Sequence, residues 1–167
     1  MSFNKAHATK MLVGLASAHL VHITRAGDMV RFQFANEAGA IPFMHIHIQS
    51  SYRLTHNGSI VLAAADMYQP KDGHLNDPNF EFGNFDWTIF GENRFDDVVQ
   101  NKLLPCLDEF IVSTVQFSEY GDLKVGFADG YTMDVFLDTS GEEECWRFLN
   151  TKDAEIYLIV TGDGMEV

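Results

Sequence analysis

The run Leu123-Lys124-Val125-Gly126-Phe127-Ala128-Asp129-Gly130-Tyr131-Thr132-Met133-Asp134-Val135-Phe136-Leu137, within residues 121–150, decides the fold class. Leu123, Val125 and Phe127 alternate with polar neighbours, and so do Met133, Val135 and Leu137. Asp129-Gly130 lies between them, a dipeptide that accepts positive φ. Period-two burial on both sides of such a pair is the signature of a β-hairpin. A third apolar run, Cys145-Trp146-Arg147-Phe148-Leu149, follows the loop Ser140-Gly141-Glu142-Glu143-Glu144. Residues 121–150 are therefore expected to form an antiparallel meander.

Working outward, the first half of the chain shows the same grammar. A helix over residues 4–15, capped by Asn4 or Ser2, has Ala6, Ala8, Met11, Leu12 and Leu15 on its apolar side. Strands are expected at 19–24, 29–35, 43–49 and 60–65, with turns at Ala26-Gly27-Asp28 and Asn57-Gly58. In the second half, Asn93 caps a helix whose stripe is Val98, Val99, Leu103 and Leu104 and which Pro105 stops. Strands follow at 110–117 and, last, at 155–161. Aromatic-Arg-apolar triplets recur as Tyr52-Arg53-Leu54 and Trp146-Arg147-Phe148, each expected to bury its ring and to place its guanidinium at the rim. The spacing between the copies stays near about 95 residues, as in a tandem duplication. The expected fold is α+β and β-rich: one domain over 1–167, with repeats at 1–66 and 93–167 packed about a pseudo-twofold axis. Residues 67–92 connect them. This region is rich in aromatic residues, so it is expected to wrap and bury them, with a short strand at 86–90.

Composition bounds the function. The chain of 167 residues has 46% hydrophobic and 21% charged residues, ordinary for a folded protein. No signal-peptide pattern opens it and no run approaches eighteen apolar residues, so a cytoplasmic location without a membrane span is expected. Cys106 and Cys145 are expected to be free thiols. Net charge is −13, divided as +2 over residues 1–66 and −15 over the remainder. That asymmetry repels nucleic acid and anionic lipid and attracts a basic protein surface.

Chemistry-bearing motifs are sparse. Glycine-rich phosphate loops, nucleophile elbows and calcium loops are absent, so no enzyme activity and no cofactor is expected. His45 and His47 share one strand face, and His22 on a neighbouring strand extends them to a possible metal trio. A later glutamate that would complete a cupin-like set does not follow. A metal or small-ligand site on the His45/His47 face is therefore the alternative reading.

The runs Ile46-His47-Ile48-Gln49-Ser50-Ser51-Tyr52-Arg53, Phe85-Asp86-Trp87, Gly121-Asp122-Leu123-Lys124-Val125-Gly126-Phe127 and Ser140-Gly141-Glu142-Glu143-Glu144-Cys145-Trp146-Arg147-Phe148 span most of the chain. Together they resemble a family of small bacterial proteins to which no activity is assigned. Relatives tend to have Cys-Pro-Trp-Arg where this chain has Ser50-Ser51-Tyr52-Arg53. The resemblance implies a fold more than a function. The leading expectation is an immunity-type binding protein, monomer or homodimer, that neutralises a cationic bacterial toxin such as a nuclease. Its docking acids are Asp138, Glu142, Glu143 and Glu144, supported by Asp72, Asp77, Asp86, Asp96 and Asp97. A purely structural homodimer built through exposed strand edges is the third expectation.

Overall fold

The computed structural model describes residues 3–152 and 156–167. The fold is α+β and strand-rich, built from two antiparallel sheets with few helices. Helix α1 (Lys5–Leu12) is capped by the Asn4 side chain, which accepts from the His7 N–H at 3.0 Å. Its buried side is Ala8 and Leu12, continued by Leu15 in a 3₁₀ turn, while Ala6 is exposed. Ser2 lies outside the described residues.

Strands β1 (His19–Ala26), β2 (Met29–Ala35) and β3 (Met44–Ile48) form a meander. Their alternation buries Ile23, Val30, Phe32, Phe34, Met44, Ile46 and Ile48 on one face. Strands β4 (Ser51–His56) and β5 (Ser59–Ala63) turn back at Asn57-Gly58, whose φ angles of 49° and 79° suit a two-residue hairpin. In the connector, α2 (Asp72–Leu75) is one helical turn. Helix α3 (Arg94–Val98) begins at Asn93, whose side chain accepts from Asp96 N–H at 2.8 Å. The helix widens over Val99–Leu103 and tightens over Leu104–Glu109, where Pro105 supplies no backbone N–H.

Strands β6 (Val112–Phe117), β7 (Leu123–Phe127) and β8 (Tyr131–Phe136) form the second meander, with Gly130 at φ 84° in the expected hairpin turn. Then β9 (Glu144–Asn150), β10 (Ile156–Thr161) and β11 (Met165–Glu166) complete the chain. The start expected for the last strand, at 155, lies outside the described residues.

One expectation changes here. Residues 121–150 do not stay in a single meander, because β9 leaves β8 and pairs with β3 and β10. The edge of β8 that β9 would have taken is occupied by β4. The loop that carries the chain across is pinned by Asp138, whose carboxylate accepts from Ser51 N–H at 2.8 Å and Ser51 Oγ at 2.7 Å. Across the corner, Gln49 and Ser50 both donate backbone N–H to Cys145 O, at 2.8 and 3.0 Å. The sheets therefore run β1-β2-β3-β9-β10-β11 and β5-β4-β8-β7-β6.

The strand expected at 86–90 is also absent from the fold. Asp86 instead accepts from Thr88 N–H at 2.9 Å and Thr88 Oγ1 at 2.6 Å, closing a side-chain turn that competes with extended backbone.

One continuous core lies between the sheets. Trp146 is wholly buried and donates Nε1–H to Gly121 O at 3.0 Å. Phe32 meets Tyr52 edge-on across the sheets at 6.2 Å. Tyr52 and Trp146 bury their rings as expected, while Arg53 and Arg147 lie on the outer faces of their sheets, not at a rim, and pair with Asp134 and Glu144. Both cysteines are free thiols, Cys145 buried and Cys106 half-buried. Among the described residues no helix is long and apolar enough to cross a membrane.

Two sites test this packing. Gly162 sits so close to the crossing loop that an added Cβ would meet Thr139 O at 2.3 Å and Gly141 O at 2.8 Å. Gly162→Ala is expected to destabilise the fold by about 1–3 kcal/mol through a forced backbone shift, read as a lower urea midpoint. The side chains of Arg25 and Asp96 are 8% and 1% exposed and paired at 2.8 Å. Asp96→Asn leaves the guanidinium uncompensated and is expected to cost roughly 3–5 kcal/mol by the same measurement. A loss under 1 kcal/mol would contradict this account of the pair.

Candidate functional site

Ion pairing and burial sort the nine acids expected at the docking surface. Glu144 is held by Arg147 through Nε and Nη2, at 2.5 and 2.6 Å, and accepts from Gln49 at 2.9 Å. Asp72 pairs with Arg94, which also reaches Asp66 at 3.3 Å. Asp96 is buried against Arg25 and accepts the Gly91 N–H at 2.9 Å, so it supports the fold and reaches no surface. Asp138 holds the loop crossing described above. Asp97 accepts from Asn101 at 2.8 Å and Glu143 from Thr139 at 3.3 Å. Asp77, Asp86 and Glu142 are exposed. The hydrogen bonds from Thr88 hold the Asp86 carboxyl below the usual carboxylate range. It is a fixed negative charge at neutral pH.

The connector contains a surface that composition alone did not reveal. It is ordered by polar ties: Pro70 bridges to Asn93, Lys71 Nζ lies 3.2 Å from Glu92, and His74 Nε2 lies 2.5 Å from the same carboxylate. Those two partners lower the Glu92 pKa. The aromatics expected to be buried divide in two. Phe95 is fully buried, and Phe80, Phe85 and Trp87 are half-buried. Phe82 and Phe90 are 64% and 66% exposed, and Tyr68, Leu75 and Ile89 are exposed beside them in sequence. Among the described residues, five of the eleven exposed large apolar side chains thus fall within 23 residues of chain. Asp77, Glu81 and Asp86 are interspersed among them in sequence and are exposed. Surface aromatics on an ordered loop are an interaction signal, because burying them elsewhere would have been favourable. The sequence cue was the aromatic density; which rings would be buried was not legible from it.

The histidine face lies on the outside of the six-stranded sheet. His45 and His47 are half-buried on β3 with ring centroids 6.1 Å apart. His22 is on β1, two strands away, with Gln33 of β2 in register between it and His45. Gln33 Nε2 contacts His45 Nδ1 at 3.2 Å. Neighbouring strands are about 4.8 Å apart, so the trio is spread too widely to converge on one ion. Among the described residues no group of three or more His, Cys, Asp or Glu side chains could hold a metal.

His47 stands in register between Arg31 of β2 and Arg147 of β9. Partial burial, then Arg147, His45 and Arg31, push its pKa down to about 4; Glu144 acts in the opposite direction. Burial and Arg31 lower His45 as well. Both imidazoles are neutral at pH 7.

The unfolded chain takes up a proton on residue 47 near the ordinary value of 6.5, whereas the folded protein does so near 4. Between those values the unfolded state binds more protons, so stability falls as pH drops through that window and levels off below it. His47→Gln is expected to flatten part of that slope, read from urea midpoints between pH 7 and pH 4. A slope identical to the parent would show that His47 contributes nothing. The chain matches no protein-family model, no curated protein and no solved structure.

Proposed function

We propose that this chain is an acidic binding protein of the immunity type, of the small bacterial family it resembles, acting in the cytoplasm. It captures a cationic protein, a toxin of the nuclease type. The observation that carries this reading is the connector, where exposed Phe82, Ile89 and Phe90 alternate along the chain with exposed Asp77, Glu81 and Asp86. Apolar anchors supply the dwell time of a complex, and like-signed charges near them raise its rate of formation. Net charge of −13 adds long-range attraction for a basic surface. Internal pairing removes Glu144, Asp72 and Asp96 from the docking set, and exposed Glu142 and Glu143 remain as a second negative cluster.

The same reading includes an internal duplication. The bond from Leu20 N to Phe110 O, 3.0 Å, is matched by the bond from Val112 N to Ala18 O, 2.8 Å. These reciprocal bonds flank the bridge between His19 and Ile111, at the first strand of each half. Register shifts in β1 between Leu20 and His22 and in β6 between Val112 and Thr114 occur at equivalent places. Helix α1 packs on β6 and β10, while α3 and the turn after it pack on β5 and β1. All four observations support a twofold relation between the halves.

The test is affinity capture from the native host with the parent chain and two variants. Phe82→Ala/Phe90→Ala removes anchors, and Asp77→Asn/Glu81→Gln/Asp86→Asn removes charge. The parent is expected to retain one basic protein that both variants lose. With the purified pair, raising salt from about 50 to 500 mM should slow association by roughly tenfold or more as the field is screened. A partner retained equally by all three chains, or a salt-independent rate, overturns the proposal.

A further inference from the structure

The outer faces of the two sheets carry rows of residues that match in kind, polar, cationic and apolar, except at the central strand. On the five-stranded sheet, Gln116, Lys124, Asp134, Arg53 and Ala63 are in register across β6, β7, β8, β4 and β5. Asp134 sits between two cations, 3.4 Å from Lys124 Nζ and 3.5 Å from Arg53 Nε. On the six-stranded sheet the corresponding row is Thr24, Arg31, His47, Arg147 and Ile159 across β1, β2, β3, β9 and β10. Two cations again flank the central strand, but the group between them is an imidazole.

The consequences are visible in the hydrogen bonding. Arg147 turns to Glu144. Among the described residues Arg31 makes no ion pair; its Nη2 reaches only Arg25 O at 3.4 Å, and its buried Nε has no hydrogen-bond partner. Its register neighbour Thr24 likewise has a buried Oγ1 without a partner. Two unpaired polar groups side by side in one row are costly unless an acceptor meets them. Thr24 and Arg31 border a cleft of about 330 Å³ that Phe90 and Gln100 also line. The nearest buried carboxylate in that cleft, Asp96, is already neutralised by Arg25.

We propose that the Thr24–Arg31 end of this row is a binding site for a single small oxyanion, phosphate or carboxylate. The ligand reaches Arg31 and Thr24 from the cleft that both border. It meets the Nε–H and the hydroxyl, now shut from solvent, once the side chains over them turn aside. His47, neutral at pH 7, and Arg147 with its Glu144 partner form the next positions of the row. The ligand thus supplies from solution a negative charge beside Arg31, away from the central position that Asp134 holds in its row and His47 in this one. The cleft shares Phe90 with the capture surface proposed above, but its polar groups, Thr24 and Arg31, lie outside the connector.

Inorganic phosphate and, separately, acetate are titrated into the protein at constant ionic strength, with chloride as the comparison. Imidazole NMR shifts of His47 and His45 are followed. A saturable shift with phosphate or acetate, absent with chloride, is expected, together with a rise in the His47 pKa as the bound charge favours its proton. Saturation by phosphate alone selects a tetrahedral oxyanion, and saturation by both selects any small oxyanion. Arg31→Gln and Thr24→Val should each weaken binding, Arg31→Gln by roughly tenfold or more because a charge-assisted hydrogen bond is lost. Lys124→Gln on the other sheet should leave it unchanged. His47→Asp, which places a tethered carboxylate between Arg31 and Arg147, should abolish binding and raise the thermal midpoint, a readout that misfolding cannot imitate. Shifts that match chloride, that do not saturate, or that persist in His47→Asp overturn the proposal.

Discussion

Neither sheet can be completed by one half of the chain. Strands β1 to β3 need β9 on their open edge, and β6 to β8 need β4. The two crossings, at Gln49-Ser50 and at residues 137–143, therefore join the sheets. Their polar ties are specific: the Asp138 carboxylate on Ser51, and two N–H groups on Cys145 O. The hydrophobic effect pulls both sheets onto a common core, but register determines which faces it buries. A one-residue slip between β3 and β9 would turn Trp146 and Phe148 outward and bring Arg147 into the core.

Much of this was legible in the residues. Period-two alternation located nearly every strand, since each sheet has one buried face, and Asn57-Gly58 and Asp129-Gly130 marked their hairpins through positive φ. Asn4 and Asn93 were legible as caps because an amide side chain before a helical run has few other uses. The partner of β9 was not legible. Alternation describes a strand's faces and is silent about its neighbours, so a strand following a hairpin is assigned to that hairpin unless a tertiary contact redirects it. The turn at Asp86 was missed for a related reason: a single carboxylate reaching two residues ahead outweighed an apolar pattern only five residues long.

Charge was the least legible feature. Counting carboxylates found the excess but could not say which were already paired. Arginines distant in sequence, Arg25 for Asp96 and Arg94 for Asp72, reach those acids only after folding. The acids next to aromatic residues in the connector stay outward because their backbone is closed into short turns with no strand neighbour. Each pairing uses up a cation with its acid, so the net charge is unchanged, while the unpaired carboxylates are fewer and differently placed than a count of acids suggests.

The exchange of strands between the sheets also bears on how the protein is made. As the first half leaves the ribosome, β3 and β4 present open edges whose partners have not yet been synthesised. Every pairing that covers them joins residues remote in sequence, so ring-closure entropy must be met before the sheets gain anything from pairing. Neither sheet can close until β8 and β9 have been made, and until then each open edge is one that a second chain could pair with.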